Sequence, residues 1–254
     1  MKTQPQGLRS PVLDTGRVGQ GTPAIPSVVY FPPAGGSNWT FRTLVAAGPV
    51  TRSSTVRYTT AEDAGRPVPE VPTVAEAVAD RLRTSADTAP TILVGASLGA
   101  LVALETARRL AGDVAPTALV VAGCAAPRWC GFARNQPLDD ASLLEFMARC
   151  GDTDPAVRSR TAADPSFLAR LRRDLEMIRR YDSPPVEPLA CPIVAVRGEA
   201  DRLVADWTVR DWAEWTTGSF DSFTVPGPHL FFSHDRAGIA AFWQELARHI
   251  EVGS

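Results

Sequence analysis

Apolar residues along the chain fall into two alternating patterns. Short runs, several of them almost wholly apolar, occur at Ser27–Phe31, Ser54–Tyr58, Thr91–Val94, Ala118–Ala122, Pro192–Val196 and Ser222–Val225. Runs of this kind fit strands whose two faces are both covered. Between them, apolar positions recur at helical spacing near Val74–Thr84, Leu98–Leu110, Trp207–Thr216 and Ala237–Ile250. Strands alternating with helices predict an α/β architecture, a mainly parallel sheet flanked by helices.

The alternation stops between Pro137 and Asp182. Only helical patterns occur there, interrupted at Asp154-Pro155 and Asp164-Pro165, where proline ends or starts a helix. Leu168, Leu171, Leu175 and Ile178 form one apolar stripe, with arginines 170, 172, 173, 179 and 180 mostly elsewhere. An all-helical insertion between two strands reads as a lid over one sheet edge, spanning about residues 137–182. Residues 1–26, broken by proline and glycine, read as a flexible lead-in, and 27–254 as one domain.

Composition removes several classes of function. The 26 basic and 28 acidic residues nearly balance, so no global basic field would draw the chain to nucleic acid or an anionic membrane. Lys2 is the sole lysine, which leaves no interior lysine for Schiff-base chemistry. Cys124, Cys130, Cys150 and Cys191 match no zinc or redox spacing and read as free thiols of a cytoplasmic protein. No stretch resembles a membrane span or a signal peptide.

The densest chemical signal is Gly95-Ala-Ser97-Leu98-Gly99, lying between an apolar strand and a helical run. In a Gly-x-Ser-x-Gly turn the glycines admit close backbone approach, and the serine projects above the sheet at a helix N-terminus. The Leu98 N–H then faces an oxyanion formed when Ser97 attacks a carbonyl. A serine alcohol needs a base, and imidazole suits neutral pH. Of the three histidines, His229 follows the last strand within Pro226-Gly-Pro-His229, where the ligand site of such a sheet lies. His234 is its rival, and His249 reads as a surface residue of the terminal helix. Asp201, just beyond the preceding strand, is the carboxylate expected to orient the imidazole, ahead of Glu199 and Asp206. The chain order Ser97, Asp201, His229 is that of α/β-hydrolases. The second oxyanion donor is expected in the loop Pro32-Pro33-Ala34-Gly35-Gly36; the prolines lack an N–H, so Ala34 is the first available.

Taken in order, Tyr30-Phe-Pro-Pro-Ala-Gly-Gly-Ser37, Gly95-Ala-Ser-Leu-Gly-Ala100, Arg172-Arg-Asp174 with Tyr181, Pro188-Leu-Ala-Cys-Pro192, Arg197-Gly-Glu-Ala-Asp201, Trp212 and Gly227-Pro-His-Leu-Phe-Phe232 resemble type II thioesterases. These are the stand-alone editing enzymes of nonribosomal peptide and polyketide synthases. The resemblance covers nearly the whole chain after Ser27. It implies an α/β-hydrolase fold, nucleophile Ser97, acid Asp201, base His229 and oxyanion donors Ala34 and Leu98. It also implies an acyl group delivered on the phosphopantetheine arm of an acyl or peptidyl carrier protein, with no metal or bound cofactor, in a monomer. Pro33, the Pro228 and Leu230 that flank His229, and Ala122 depart from the usual family pattern without touching nucleophile, acid or base. An offloading cyclase, an acyltransferase or an oxygen-ester esterase would share the elbow; a noncatalytic binding protein of the same fold would be favoured by loss of Ser97, Asp201 or His229, and all three are present.

Overall fold

The computed structural model describes residues 12–17, 27–58, 65–85, 91–110, 112, 114–130, 137–151, 164–183 and 187–249. Seven strands form one sheet: β1 (Val12–Arg17), β2 (Ser27–Phe31), β3 (Arg52–Arg57), β4 (Thr91–Ala96), β5 (Ala118–Ala122), β6 (Ile193–Gly198) and β7 (Phe220–Val225). Their spatial order is β1-β3-β2-β4-β5-β6-β7. The six from β2 to β7 run parallel, in registers such as Val94↔Val120 and Ala122↔Val196. This is the α/β-hydrolase architecture expected from the sequence.

Successive strand residues point to opposite faces. Val29, Phe31, Leu93, Leu119, Val121 and Ile193 belong to one apolar layer, under α2 (Val71–Arg83) and α3 (Leu98–Arg109). Val28, Tyr30, Ile92, Val94, Val120 and Val194 belong to the other, with Leu44 of α1 (Arg42–Ala47) and aromatic residues of the C-terminal helices. Both faces are covered, so the central strands have no polar side to show. That is why their sequences are continuously apolar.

The lead-in expectation for residues 1–26 is corrected in part. Val12–Arg17 forms β1, which pairs antiparallel with β3 from Val12↔Arg57 to Arg17↔Arg52. This pairing covers what would otherwise be the open edge of β3. The rest of 1–26 lies outside the described residues.

The insertion supplies α4 (Asp140–Arg149) and α5 (Pro165–Arg180). Each begins on an aspartate cap: Asp139 accepts from the Ser142 N–H, and Asp164 from the N–H groups of Ser166 and Phe167, with Pro165 in the first turn. Asp154-Pro155 lies outside the described residues. Leu143 and Met147 of α4 pack on Leu168, Leu171 and Leu175 of α5, forming a small third core that includes part of Ala34.

The helix expected over Trp207–Thr216 is split into α6 (Asp206–Arg210) and a 3-10 segment, Asp211–Trp215. The Trp212 ring is fully buried, and its Nε1 donates to the Cys124 carbonyl at 2.9 Å, behind the central strands. The chain closes with α7 (Phe231–His234) and α8 (Arg236–His249). Trp212→Phe removes that donor from a buried carbonyl and thins the core. Its stability is expected to fall by about 2–4 kcal/mol in urea unfolding. A loss under 1 kcal/mol would show the bond to be dispensable.

Candidate active site

In a parallel sheet every strand ends on the same edge, so the loops after β2, β4, β5, β6 and β7 converge there. Ser97 sits at the junction of β4 and α3 with φ 50° and ψ −119°. It is the one non-glycine at positive φ among the described residues. Such a conformation costs on the order of 1–3 kcal/mol. Two hydrogen bonds hold it: the Ser97 N–H donates to Ala122 O at 2.9 Å, and Ser97 O accepts from the Ala100 N–H at 2.9 Å. The glycines on either side are sterically required. A Cβ at Gly95 would crowd the backbone of Ala100, and one at Gly99 would overlap the carbonyl of Phe31 at the end of β2.

Asp201 and His229 meet at 2.8 Å, Oδ2 to Nδ1, with both side chains almost wholly buried. The other carboxylate oxygen, Oδ1, accepts from the N–H groups of Leu203 (2.8 Å) and Val204 (3.1 Å). Arg197 ties this loop down by donating to the carbonyls of Val204 and Asp201. The loops bearing Asp201 and His229 are joined directly: Ala200 N–H donates to Gly227 O, and Glu199 N–H to Val225 O. Burial pushes the Asp201 carboxyl up. The hydrogen bond and charge of His229, with the two backbone N–H groups, outweigh this and hold it below the usual carboxylate range. The carboxylate therefore stays ionised and fixes the imidazole with Nδ1 toward Asp201. Nε2 is then the ring nitrogen left for proton transfer.

Hydrogen bonding in the loop after β2 narrows the choice of oxyanion donor. Pro32 and Pro33 have no N–H, Gly35 N–H donates to Asp174, and Gly36 N–H donates to Pro33 O. The Ala34 N–H has no hydrogen-bond partner among the described residues. Neither has that of Leu98, which as the first residue of α3 lacks an intrahelical acceptor.

Ser97, Leu98 and His229 line one narrow pocket, of about 50 Å³, that opens to solvent. Its walls are otherwise apolar: Leu101 and Cys124 from the sheet side, Phe146 from α4, Leu175 and Ile178 from α5. Ala34 lies on an adjoining groove of about 240 Å³ that shares Phe146 and has the exposed Trp39 in its lining. Two thiols, those of Cys124 and Cys130, also line this pocket. Hydrogen bonding with Cys130, burial and nearby negative charge push the Cys124 thiol well above the ordinary value, so it remains protonated at neutral pH.

His249 does not join the pair. His249 lies at the end of α8, stacked on Phe223 and 3.4 Å from Asp221. The side chain of His234 lies outside the described residues. Glu199 and Asp206 take no place beside His229. The arginines of α5 are engaged within the chain: Arg172 with Leu138 O and Asp140, Arg173 with the carbonyls of Arg66 and Pro67, Arg179 and Arg180 with Glu176. Sequence reasoning gave no separate role to Asp174, although a carboxylate beside an apolar helical stripe was the available signal. Among the described residues there is no cluster of candidate metal ligands and no helix long and apolar enough to cross a membrane.

A family model for the thioesterase domain matches residues 26–251. Thioesterase TesA of Mycobacterium marinum is 29% identical over 236 residues, which span 90% of this chain and 91% of that protein. A probable cadicidin biosynthesis thioesterase of Streptomyces griseus is 30% identical over 210 residues, 81% of this chain and 58% of that protein. Among solved structures, RedJ, a thioesterase from the prodiginine biosynthetic pathway in Streptomyces coelicolor, superposes with a TM-score of 0.74 at 31% identity, covering 90% of this chain and 91% of that one. YbtT, a type II thioesterase from a yersiniabactin pathway, shares the fold, with a TM-score of 0.74 at 24% identity over 95% and 98% of the two chains.

Two outcomes follow from this geometry. In Gly99→Ala, relief of the overlap with Phe31 O must move either the elbow or the loop after β2. A shift of about 1 Å is expected to lower kcat by ~10²-fold in steady-state assays; unaltered turnover would contradict the geometry. Asp201 titrates lower in the folded chain than in the unfolded one. Its contribution to stability is therefore present above the ordinary value, about pH 4, and lost as pH falls through the lower folded-state value. The stability gap between wild type and Asp201→Asn in urea unfolding is expected to hold from pH 7 to 5 and to shrink on acidification below about pH 4. A gap that widens there would reverse the sign of the assignment.

Proposed function

The chain belongs to the thioesterase family, and on that premise we propose that it hydrolyses acyl thioesters carried on the phosphopantetheine arm of acyl or peptidyl carrier proteins. The setting is nonribosomal peptide or polyketide biosynthesis in the cytoplasm, with the enzyme acting as a monomeric editing thioesterase. The observation that carries this reading is the convergence of a strained Ser97 and a buried His229–Asp201 pair on one apolar pocket. An apolar pocket suits an acyl chain, and the biosynthetic roles of similar proteins suit a carrier-bound donor.

The reaction runs in two halves. His229 Nε2 takes the Ser97 proton as Oγ attacks the thioester carbonyl. The tetrahedral intermediate collapses, and the pantetheine thiol leaves with the proton returned by the imidazolium. Water, deprotonated by the same imidazole, then attacks the acyl-serine and releases the free acid. The N–H groups of Ala34 and Leu98 bind the oxyanion in both halves, each worth ~10²–10³ in rate. Asp201 holds the tautomer throughout and steadies the imidazolium that forms. No step calls on a metal or cofactor.

The test is a carrier protein loaded with a set of acyl groups and followed by intact mass. Wild type is expected to release free acid and holo-carrier, while Ser97→Ala loses at least ~10³-fold in rate. Undiminished hydrolysis by Ser97→Ala would remove the nucleophile assignment. Transfer of the acyl group to a nucleophile other than water would identify an acyltransferase or cyclase. Fast cleavage of oxygen esters with inert carrier thioesters would identify an esterase.

A further inference from the structure

The apolar stripe of α5 is interrupted by a charge that should not be buried without reason. Asp174 is 2% exposed, beside Leu171 and Leu175 of the insertion core. An ionised carboxylate in such a place is strongly disfavoured unless it is hydrogen-bonded. Its Oδ2 accepts the Gly35 N–H at 2.8 Å, across 139 residues of chain. One turn earlier on the same helix, Arg170 Nε donates to Gly35 O at 3.2 Å.

The Asp174 contact falls on the peptide next to the one that carries the Ala34 N–H, and the Arg170 contact on the Gly35–Gly36 peptide, whose own N–H bonds Pro33 O. The Gly35 N–H belongs to the peptide just after Ala34, and Asp174 fixes it. The peptide preceding Pro33 is held from the other side, where the Tyr58 hydroxyl donates to Pro32 O at 2.9 Å. The peptide between them carries both Pro33 O and the Ala34 N–H. Its carbonyl accepts from Gly36 N–H at 2.9 Å, and in a trans peptide the N–H points the opposite way. Three successive peptides are therefore pinned, the last of them by a helix of the insertion. Gly35 holds φ +73°, and a Cβ there would press on Phe167 and Leu171 of α5, so the loop and the helix are in contact as well as hydrogen-bonded.

We infer that Asp174 is a positioning residue for the Ala34 N–H, so that the oxyanion hole is complete only while α5 is seated on the loop at 32–36. The inference rests on the reading of Ala34 as an oxyanion donor. It makes the insertion part of the catalytic apparatus rather than a cover over it. A carboxylate serves better than a neutral acceptor because its bond to an N–H is charge-assisted and holds the peptide plane more firmly.

The test compares wild type, Asp174→Ala, Asp174→Asn and Arg170→Ala. Each is assayed for thioester hydrolysis and for binding of two acyl-chain analogues. One is a trifluoromethyl ketone, to which Ser97 Oγ adds as its proton passes to His229, leaving a hemiketal oxyanion. The other is a thioether of the same chain, which fills the pocket without forming an oxyanion. Asp174→Ala is expected to lose ~10–10²-fold in kcat and a similar factor in ketone affinity. Thioether affinity and KM should stay within about twofold, because uniform binding is untouched. Asp174→Asn keeps an acceptor oxygen and should recover most of the loss.

Equal losses for ketone and thioether, or an unchanged ketone affinity in a folded Asp174→Ala, would overturn the inference. Should Asp174→Ala fail to fold, Arg170→Ala decides: a selective loss of ketone affinity supports the inference, and ketone affinity equal to wild type overturns it. A wild type that forms no Ser97-dependent ketone adduct brings down the functional reading and the inference together. An adduct in wild type with no selectivity in the variants brings down the inference alone.

Discussion

Ser97 occupies a backbone conformation that its own chemistry resists, and the surrounding fold is arranged so that it has no alternative. Relaxing φ 50° to an ordinary value would require Gly95 and Gly99 to move against Ala100 and Phe31, and the Ser97 N–H to leave Ala122 O. Each of those neighbours belongs to a strand or helix buried in the core. The strain, on the order of 1–3 kcal/mol, is small beside the burial that would be lost if β4 or α3 shifted. What the strain secures is position: the hydroxyl stands clear of the sheet edge while the unpaired end of α3 lies beneath it. The loops bearing Asp201, His229 and Ala34 have only to reach that point, and in a parallel sheet their strands all end there.

Electrostatics divide the labour among the polar groups at this edge. Asp201 remains ionised because His229 and two backbone N–H groups outweigh its burial. Cys124, hydrogen-bonded with Cys130 and close to that same negative charge, remains a thiol. One carboxylate thus keeps the imidazole oriented and also discourages a competing thiolate in the pocket. The apolar walls sharpen both effects, because charge interactions strengthen as water is excluded. A serine flanked by a buried thiol is then the group whose activation the geometry supports.

The central sheet could be read in advance because burial on both faces leaves a continuous apolar signature in β2, β4, β5 and β6. The elbow and the His229 loop carried signals of another kind, in that glycine and proline mark where the backbone must turn sharply. β1 left no such mark: Val12–Arg17 is short, half polar and joined to the sheet by backbone pairing along one edge. The break between α6 and the 3-10 segment was also hidden, because Trp212 suits a helix by pattern and is turned inward by its bond to Cys124 O. Asp174 shows the limit most clearly. Its sequence neighbours say only that a charge adjoins an apolar stripe, while its partner, Gly35, lies 139 residues away. Pairings across that distance are set by tertiary packing, and no local periodicity encodes them.

The arrangement of α5 bears on why a helix, rather than a surface loop, lies over this edge. Leu175 and Ile178 line the pocket that would hold the acyl chain, while Asp174, Arg170 and Leu171 meet the loop that would hold the oxyanion. Asp164 and Pro165 fix its N-terminal end, and its arginines are bonded within the chain, which leaves the helix to act as a single stiff body. A stiff body that touches both sites cannot leave one without disturbing the other. An acyl chain packed against Leu175 and Ile178 would therefore favour the same seating of α5 that holds Gly35, and binding energy far from the thioester would be directed toward the transition state. A flexible lid would exclude water equally well, but it would have no means of making that connection.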